Sequence, residues 1–508
     1  MTAHPAYTAL ERRFARVSAL GDAIGILDWD SQTTMPAGAA AGRAEQLATL
    51  RVLSHETMTA PDMGELIDQA EREMQAADGD AEIRHWQQAN LREMRRQWIH
   101  ANAVPSDLVE ASSRAISASE MAWRTARAEN DFPALLPYLR EVLTLQRRIA
   151  EAKADLLGTG LYDALLDQYE PEGRSAKIDL LFADLAEFLP GFIQSVLDHQ
   201  AAQPPVIVPE GPFPVDTQRR MGEALMKAIG FDFTRGRLDV SLHPFCGGAT
   251  GDVRLTTRYE EGDFTSALMG VLHETGHAMY ELGRPAAWLT QPVGAARGMA
   301  LHESQSLIVE MQACRSPHFL RYAAPLLREA FGGTGPAWTE ENLYRLYTRV
   351  ERGFIRVDAD EATYPAHVIL RYRLEKALIE GAMDLADLPD AWNEGMRDLL
   401  GIVPPDDRRG CLQDIHWPSG AWGYFPTYTM GAIAAAQLFD SCRTAVPKME
   451  EGLARGDFGP LIGWLRANVH SLGSVDTTDG ILARATGRGL DAEVYKRHLR
   501  RRYLRAEE

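Results

Sequence analysis

Cysteine is scarce and scattered in this 508-residue sequence: Cys246, Cys314, Cys411 and Cys442 are its whole complement, and none stands in a CxxC pair. That excludes a disulfide framework and a cysteine zinc site, so any metal must be held by histidine and carboxylate. No apolar run of about 18 residues occurs, and the opening MTAHPAYTALERRFARVSALGD has neither an apolar run behind a basic stretch nor a small-residue cleavage site. The expected location is the cytoplasm, with no membrane partner. Basic residues are the minority, Lys+Arg 53 against Asp+Glu 71, for a formal net charge of −18. Duplex nucleic acid and anionic membranes are bound through clusters of Lys and Arg, so neither is expected as a main partner. The acidic excess reads as a solvated surface. Long Pro/Gly/Ser linkers, internal repeats and low-complexity tracts are absent as well. A length that would ordinarily suggest about three domains is therefore expected to form one body over residues 1–508.

What is present is helical periodicity. Leu10, Phe14, Val17, Leu20, Ile24 and Leu27 recur at three- and four-residue steps, and similar patterns run through 42–75, 80–101, 107–128, 133–156 and 176–199. Residues 1–200 are thus expected to be a mainly helical lobe, with turns at Met35-Pro36, Pro61-Asp62, Val104-Pro105 and Glu170-Pro171-Glu172-Gly173. Gln203-Pro204-Pro205 marks the first clear break. In residues 236–260, Leu238, Val240 and Leu242 alternate with polar residues, a glycine-bearing loop follows, and Val253, Leu255 and Thr257 alternate again, which predicts a hairpin. Helical periodicity resumes at Asp263, an expected N-cap, and covers 296–314, 339–357, 361–382 and 420–441. The fold class expected is mostly α, with a small β-sheet set into a helical body.

Within the helix opened by Asp263 lies His273-Glu274-Thr275-Gly276-His277. Residues i and i+4 share a helix face, so both imidazoles can reach one tetrahedral ion, and Glu274, offset by about 100°, can reach a water beside it. The segment His55-Glu56-Thr57-Met58-Thr59 opens in the same way and lacks the second histidine. Catalytic sites of this kind use three protein ligands and leave a position open. Glu303, 26 residues after His277 and beyond the break at Gly283-Arg284-Pro285, is the favoured third ligand; Glu281 and Glu310 compete with it, Glu310 also as a partner behind a ligand. One divalent ion per chain is expected, zinc first, with cobalt or manganese compatible.

Several blocks together resemble the carboxypeptidase Taq family of metallocarboxypeptidases: Trp29-Asp30 with Thr34-Met35-Pro36, His243-Pro244-Phe245, Asp252-Val253-Arg254-Leu255-Thr256, the HExxH helix, His302-Glu303-Ser304-Gln305-Ser306, Ile355-Arg356-Val357-Asp358-Ala359-Asp360, and Gly410-Cys411-Leu412-Gln413-Asp414-Ile415-His416-Trp417. They follow the family's order from residue 29 to about 435. Leu307 and Val309 depart from its usual arginine and aromatic residue, and Gly251 from its usual asparagine. The resemblance implies a single two-lobed, neurolysin-like helical body with a small sheet beside a deep groove, and a homodimer. It implies a hydrolase that removes C-terminal amino acids from peptides with broad specificity, with the metal site and substrate-binding blocks in 236–435. It further implies His273, His277 and Glu303 as metal ligands and Glu274 as general base.

A carboxypeptidase must also recognise a free α-carboxylate, which an arginine fork does best. Arg356 and Arg254 are the candidates, Arg356 favoured, with Gln413 and His416 as further substrate contacts. The tetrahedral oxyanion needs a donor, and of His243, His416, Tyr424 and Tyr428 the favoured pair is Tyr428 and His243. An edge strand of the small sheet could hold an extended peptide by its backbone. Two other readings compete: an endo-acting oligopeptidase of the thimet and neurolysin kind, and a catalytically inactive helical scaffold.

Overall fold

The computed structural model describes residues 4–75 and 80–505. Helices form where apolar residues recur, and prolines and glycines separate them. The first eight are α1 (Pro5–Thr33), α2 (Ala40–Met58), α3 (Met63–Gln75), α4 (Ala81–Asn102), α5 (Ser106–Glu129), α6 (Phe132–Leu157), α7 (Leu161–Leu166) and α8 (Ser175–Ala201). Asp80 caps α4 by accepting from the Glu82 and Ile83 amides, and Gly158 ends α6 in the left-handed region at φ 65°. By length and composition α8 would pass for a membrane span, with mean hydropathy 1.5 in its most apolar stretch. That corrects the expectation that no such stretch exists. In the fold, Ile178, Phe182, Leu185, Leu189 and Ile193 of α8 are buried against the neighbouring helices.

After α9 (Val215–Ile229) come β1 (Gly236–Val240), β2 (Cys246–Ala249) and β3 (Asp252–Thr257). The expected hairpin between the two alternating stretches does not form. β1 runs parallel to β3, Gly236 opposite Val253 and Val240 opposite Thr257, and the antiparallel partner of β3 is β2. The strand Cys-Gly-Gly-Ala of β2 has no alternating apolar side chains, so periodicity could not reveal it. Gly251 turns β2 into β3 at φ 79°, a conformation that glycine adopts freely and asparagine tolerates.

The remaining helices are α10 (Thr265–Gly283), α11 (Met299–Leu307), α12 (Pro317–Ala330), α13 (Glu340–Tyr347), α14 (Tyr364–Glu380), α15 (Leu388–Leu400), α16 (Pro426–Ala445), α17 (Met449–Leu453), α18 (Gly459–Asn468), α19 (Thr478–Thr486) and α20 (Ala492–Leu504). A π-helical segment, Ile308–Cys314, continues α11. The helix expected over 339–357 stops at Tyr347. Beyond it the backbone is tied by side chains: the Val350 amide donates to Gln200 and the Glu351 amide to Asp360. Those bonds compete with the helical ladder and leave Arg356 in a short 3₁₀ turn.

Two large apolar cores make the two lobes. One gathers α5–α8, α14, α15 and α20; the other gathers α9, the sheet, α10, α12 and α18. Helix α16 serves both, with Met430, Ile433 and Ala436 in the first and Ala434, Ala435 and Leu438 in the second. Each buried leucine or isoleucine contributes about 1.5–3 kcal/mol, so this shared helix fixes the lobes to one another. A smaller cluster joins α1, α3 and α4.

Candidate metal centre and substrate cavity

The helix carrying the HExxH motif starts two residues after Asp263, whose carboxylate accepts from the Thr265 amide at 2.8 Å and the Ser266 amide at 3.4 Å. Asp263 thus caps α10 from one position before its N-cap residue, Phe264. One turn separates His273 from His277, and their rings stand 5.0 Å apart. Helix α11 brings in Glu303: its Oε2 lies 3.8 Å from His273 Nε2 and 3.5 Å from His277 Nε2. Ligands about 2.1 Å from a tetrahedral ion stand about 3.4 Å from one another. The three donor atoms, all within 4.8 Å of one another, therefore fit a divalent cation in spacing and in donor chemistry.

Both histidines are held from behind. His273 Nδ1 is 2.9 Å from Glu310 Oε2, and Glu310 pairs with Arg315 at 2.6 Å. His277 Nδ1 is 2.7 Å from His302 Nδ1, His302 Nε2 is 2.9 Å from Glu281 Oε1, and Glu281 pairs with Arg284 at 2.9 Å. With these partners each histidine can donate from Nδ1, which would leave its Nε2 lone pair for a bound cation. Glu281 and Glu310, the competing third ligands, thus lie behind the histidines instead of among the converging donors.

Burial pushes the Glu274 carboxyl up to about 7, with His273 opposing and Glu303 adding to the rise. Burial also raises Glu303, but the His273 and His277 rings outweigh it and hold the carboxyl down at about 2. The same desolvation lowers His277 to about 4, keeping it neutral. At His273 burial acts in the same direction, but the Glu303 and Glu310 carboxylates prevail and raise it to about 10.

His273, Glu274 and Glu303 line a cavity of about 500 Å³ together with Arg356, Tyr364 and Tyr428. Arg356 is 6% exposed. It donates to Asp414 Oδ1 through Nε and Nη2 at 3.0 and 2.9 Å and to the Tyr364 hydroxyl through Nη1 at 2.7 Å. Those bonds leave two of a guanidinium's five N–H groups. Tyr428 packs its ring 5.1 Å from the Arg356 guanidinium, and its hydroxyl lies 3.3 Å from His416 Nε2. Burial lowers His416 to about 4 and pushes the Tyr428 phenol well above its ordinary range.

Four expected site residues, Arg254, Gln413, His243 and His416, are not among those lining this cavity, His416 standing behind Tyr428. Arg254 pairs with Asp252 at 2.6 Å and lies 4.5 Å over the Trp29 ring, and it is not among the residues lining this cavity. Its place on β3 aims it at α1. Gln413 spends its amide on backbone: Oε1 accepts from the Arg356 N–H at 2.8 Å, and Nε2 donates to the Phe354 and Gly410 carbonyls at 3.0 and 3.1 Å. It shapes the loop that carries Arg356. His243 is exposed in the β1–β2 connection, where its neighbour Pro244 lines the cavity in its stead. Tyr364, His302, Asp414 and Arg371 were not singled out from the sequence. His302 and Asp414 stand within the blocks that carry the resemblance, and Arg371 is a charged residue among Ile369, Leu370, Tyr372 and Leu374. A second cavity, about 580 Å³, opens between α1 and β2, reached by Gly247, Gly248 and His302.

The carboxypeptidase Taq (M32) metallopeptidase family matches the chain over residues 9–503. "Thermostable carboxypeptidase 1" of Thermus thermophilus is 38% identical over 99% of both chains, and the protein of that name from Pyrococcus furiosus is 33% identical over 97% of both. The solved structure of Trypanosoma cruzi metallocarboxypeptidase 1 superposes with a TM-score of 0.95 at 41% identity, covering 99% of this chain and 100% of that one. Likeness of this extent, in a chain that converges two histidines and a glutamate on one point, places it in a family of peptide hydrolases. The chain belongs to the carboxypeptidase Taq (M32) metallopeptidase family.

Proposed function

We propose that this carboxypeptidase acts strictly from the C-terminus, one residue at a time and with broad specificity, on a site where His273, His277 and Glu303 hold one divalent cation, zinc by preference. The observation that carries the reading is that Arg356, with two N–H groups uncommitted, lines the same cavity as His273, Glu274 and Glu303. A bidentate fork near the hydrolytic centre suits a terminal carboxylate. Held by His273, His277 and Glu303, such a cation would supply Lewis acidity to a water and to the scissile carbonyl. Glu274, whose carboxyl lies near neutrality, takes the proton of the attacking water and passes it to the leaving amine. The Tyr428 hydroxyl, kept protonated by burial, donates to the developing oxyanion. Leu307, Met311, Ala359 and Ala432 line the cavity without charge, which supports acceptance of varied side chains. β2 is an edge strand whose Gly247 and Gly248 face the second cavity, which suits backbone pairing with an extended peptide. A cytoplasmic homodimer remains part of this proposal.

The test uses one peptide in two forms, free acid and C-terminal amide, with metal-replete protein and products followed by mass. The acid is expected to shorten stepwise while the amide stays intact. Internal cleavage of the amide at a comparable rate would instead establish the endo-acting reading.

A further inference from the structure

The charge at the far end of the cavity does not balance as a simple pair. Asp414 accepts two bonds from Arg356 on Oδ1, and on Oδ2 it accepts from Arg371 Nε at 2.6 Å. Arg371 is fully buried, 0% exposed, and its Nη1 donates to the His367 carbonyl at 2.8 Å. Its guanidinium lies 4.5 Å over the Trp392 ring. Asp414 orients Arg356 but also cancels its charge. An arginine already neutralised by a buried aspartate is a poor anchor for a second carboxylate. Burial keeps the flanking His367 and His416 neutral, at about 3 and about 4, so neither supplies the missing charge.

We propose that Arg371 is a positioning residue that acts through Asp414: by sharing that carboxylate it returns the Arg356–Asp414–Arg371 group to a net charge of one, which the substrate's C-terminal carboxylate then neutralises. Arg371 does not line the cavity, so it touches no substrate and serves through charge and through the orientation of Asp414. This inference rests on the reading of Arg356 as the carboxylate anchor. A unit charge roughly 8 Å from a bound carboxylate, at an effective dielectric constant of about 20, changes its binding by about thirtyfold.

The experiment compares holoenzyme variants Arg356→Gln, Arg371→Gln, Arg371→Lys, Asp414→Asn and the double variant Arg371→Gln/Asp414→Asn. Each is assayed for inhibition by a short peptide with a reduced, non-hydrolysable last bond, in its acid and amide forms. Arg371→Gln is expected to weaken the acid form about tenfold to thirtyfold and the amide form less than threefold, and Arg371→Lys is expected to restore most of the loss. The double variant is decisive. It again carries one net positive charge, so it is expected to bind the acid form more tightly than Arg371→Gln alone. A purely structural Arg371 predicts the opposite, since the double variant removes two buried partners. If Arg356→Gln lowers the acid preference while Arg371→Gln does not, or if the double variant binds no better than the single one, the role given to Arg371 is wrong and the anchor stands. If Arg356→Gln leaves the acid preference intact, the anchor itself is wrong, and this inference goes with it. Should Arg371→Gln fail to fold, the Arg371→Lys and double variants still decide the question.

Discussion

Replacing Gly276 by alanine sets two effects of opposite sign against each other inside the metal motif. Helix propensity favours the change by about 0.8–1.0 kcal/mol. Packing opposes it. A Cβ on Gly276 would stand 2.4 Å from the Gln305 carbonyl oxygen and 2.6 Å from Ser306 Cα. Both atoms are backbone of α11, two and three residues past Glu303, and no side chain can swing aside. An ordinary carbon–oxygen contact is about 3.4 Å, so α11 must retreat by about 1 Å. Its other side is already tight, because Gly431 of α16 approaches so closely that a Cβ there would be 2.8 Å from Glu303 Cβ. Overpacking of this kind costs about 1–3 kcal/mol, which outweighs the propensity gain at its upper end. The effect on the ligands is larger. Metal–ligand distances tolerate about 0.2 Å, and a 1 Å retreat carries Glu303 out of range of an ion that the two histidines still hold. Gly276→Ala is therefore expected to lower metal affinity about 100-fold or more while destabilising the metal-free protein by about 2 kcal/mol or less. Calorimetric metal titration and urea unfolding of the metal-free form measure the two separately. Metal affinity within threefold of wild type, with an unchanged or raised urea midpoint, would refute the claim that this glycine sets the helix spacing.

Further outcomes follow from the same geometry. Glu274→Gln keeps all three ligands and removes the proton acceptor; it is expected to bind one ion per chain and lose about 10²–10⁴ in kcat, and unchanged turnover with full metal occupancy would sink the mechanism. Glu310→Gln removes the carboxylate behind His273 and leaves Arg315 without its charge partner, so metal affinity should fall about 10–100-fold, as read by competition with a chelator. Acid should destabilise the fold well above the carboxylate range. Burial lowers His367 and His470 to about 3 each, whereas an unfolded histidine titrates near about 6.5. Between those values the unfolded chain binds protons that the native one refuses, so stability drops as pH falls, by up to about 1.4 kcal/mol per pH unit for each histidine. Urea midpoints that stay flat from pH 7 to pH 5 would contradict this.

The juxtaposition of His273, Glu274 and His277 was legible because HExxH is local: the helical period alone fixes the relative placement of these three residues. Glu303 was reachable by spacing and helix break. The carboxylate end was only partly legible. Arg356, Tyr428 and His416 do meet there, yet the geometry depends on Tyr364 and Asp414, 8 and 58 residues from Arg356, and no periodicity encodes such a meeting. Arg254 misled because a strand residue beside an aspartate has the same local pattern whether it faces substrate or Trp29. The hairpin misled for a different reason. Alternation marks half-buried strands, but Val240 is 51% exposed and Leu242 81%, while the true partner strand, β2, is built of backbone-exposing glycines.

The centre's rigidity comes from one short piece of chain. Glu303 is placed to supply a ligand, His302 beside it backs His277, and Glu310, seven residues along, backs His273. Glu303 lies on α11 and Glu310 on its π-helical continuation, and the two carboxylates meet opposite edges of the His273 ring, at Nε2 and Nδ1. The backing of His277 takes a longer path: Glu281, one turn further along the same helix, contacts His302, and His302 contacts His277. The two rings are shifted in opposite directions because at His273 the Glu303 and Glu310 carboxylates outweigh burial, whereas at His277 burial prevails over Glu303. Since α11 and its π-helical continuation carry the ligand and both immediate backing groups, any displacement of that segment acts on all three at once. Losses caused there should not add to the loss from Glu310→Gln, because the bond that substitution removes is already broken when the segment has moved.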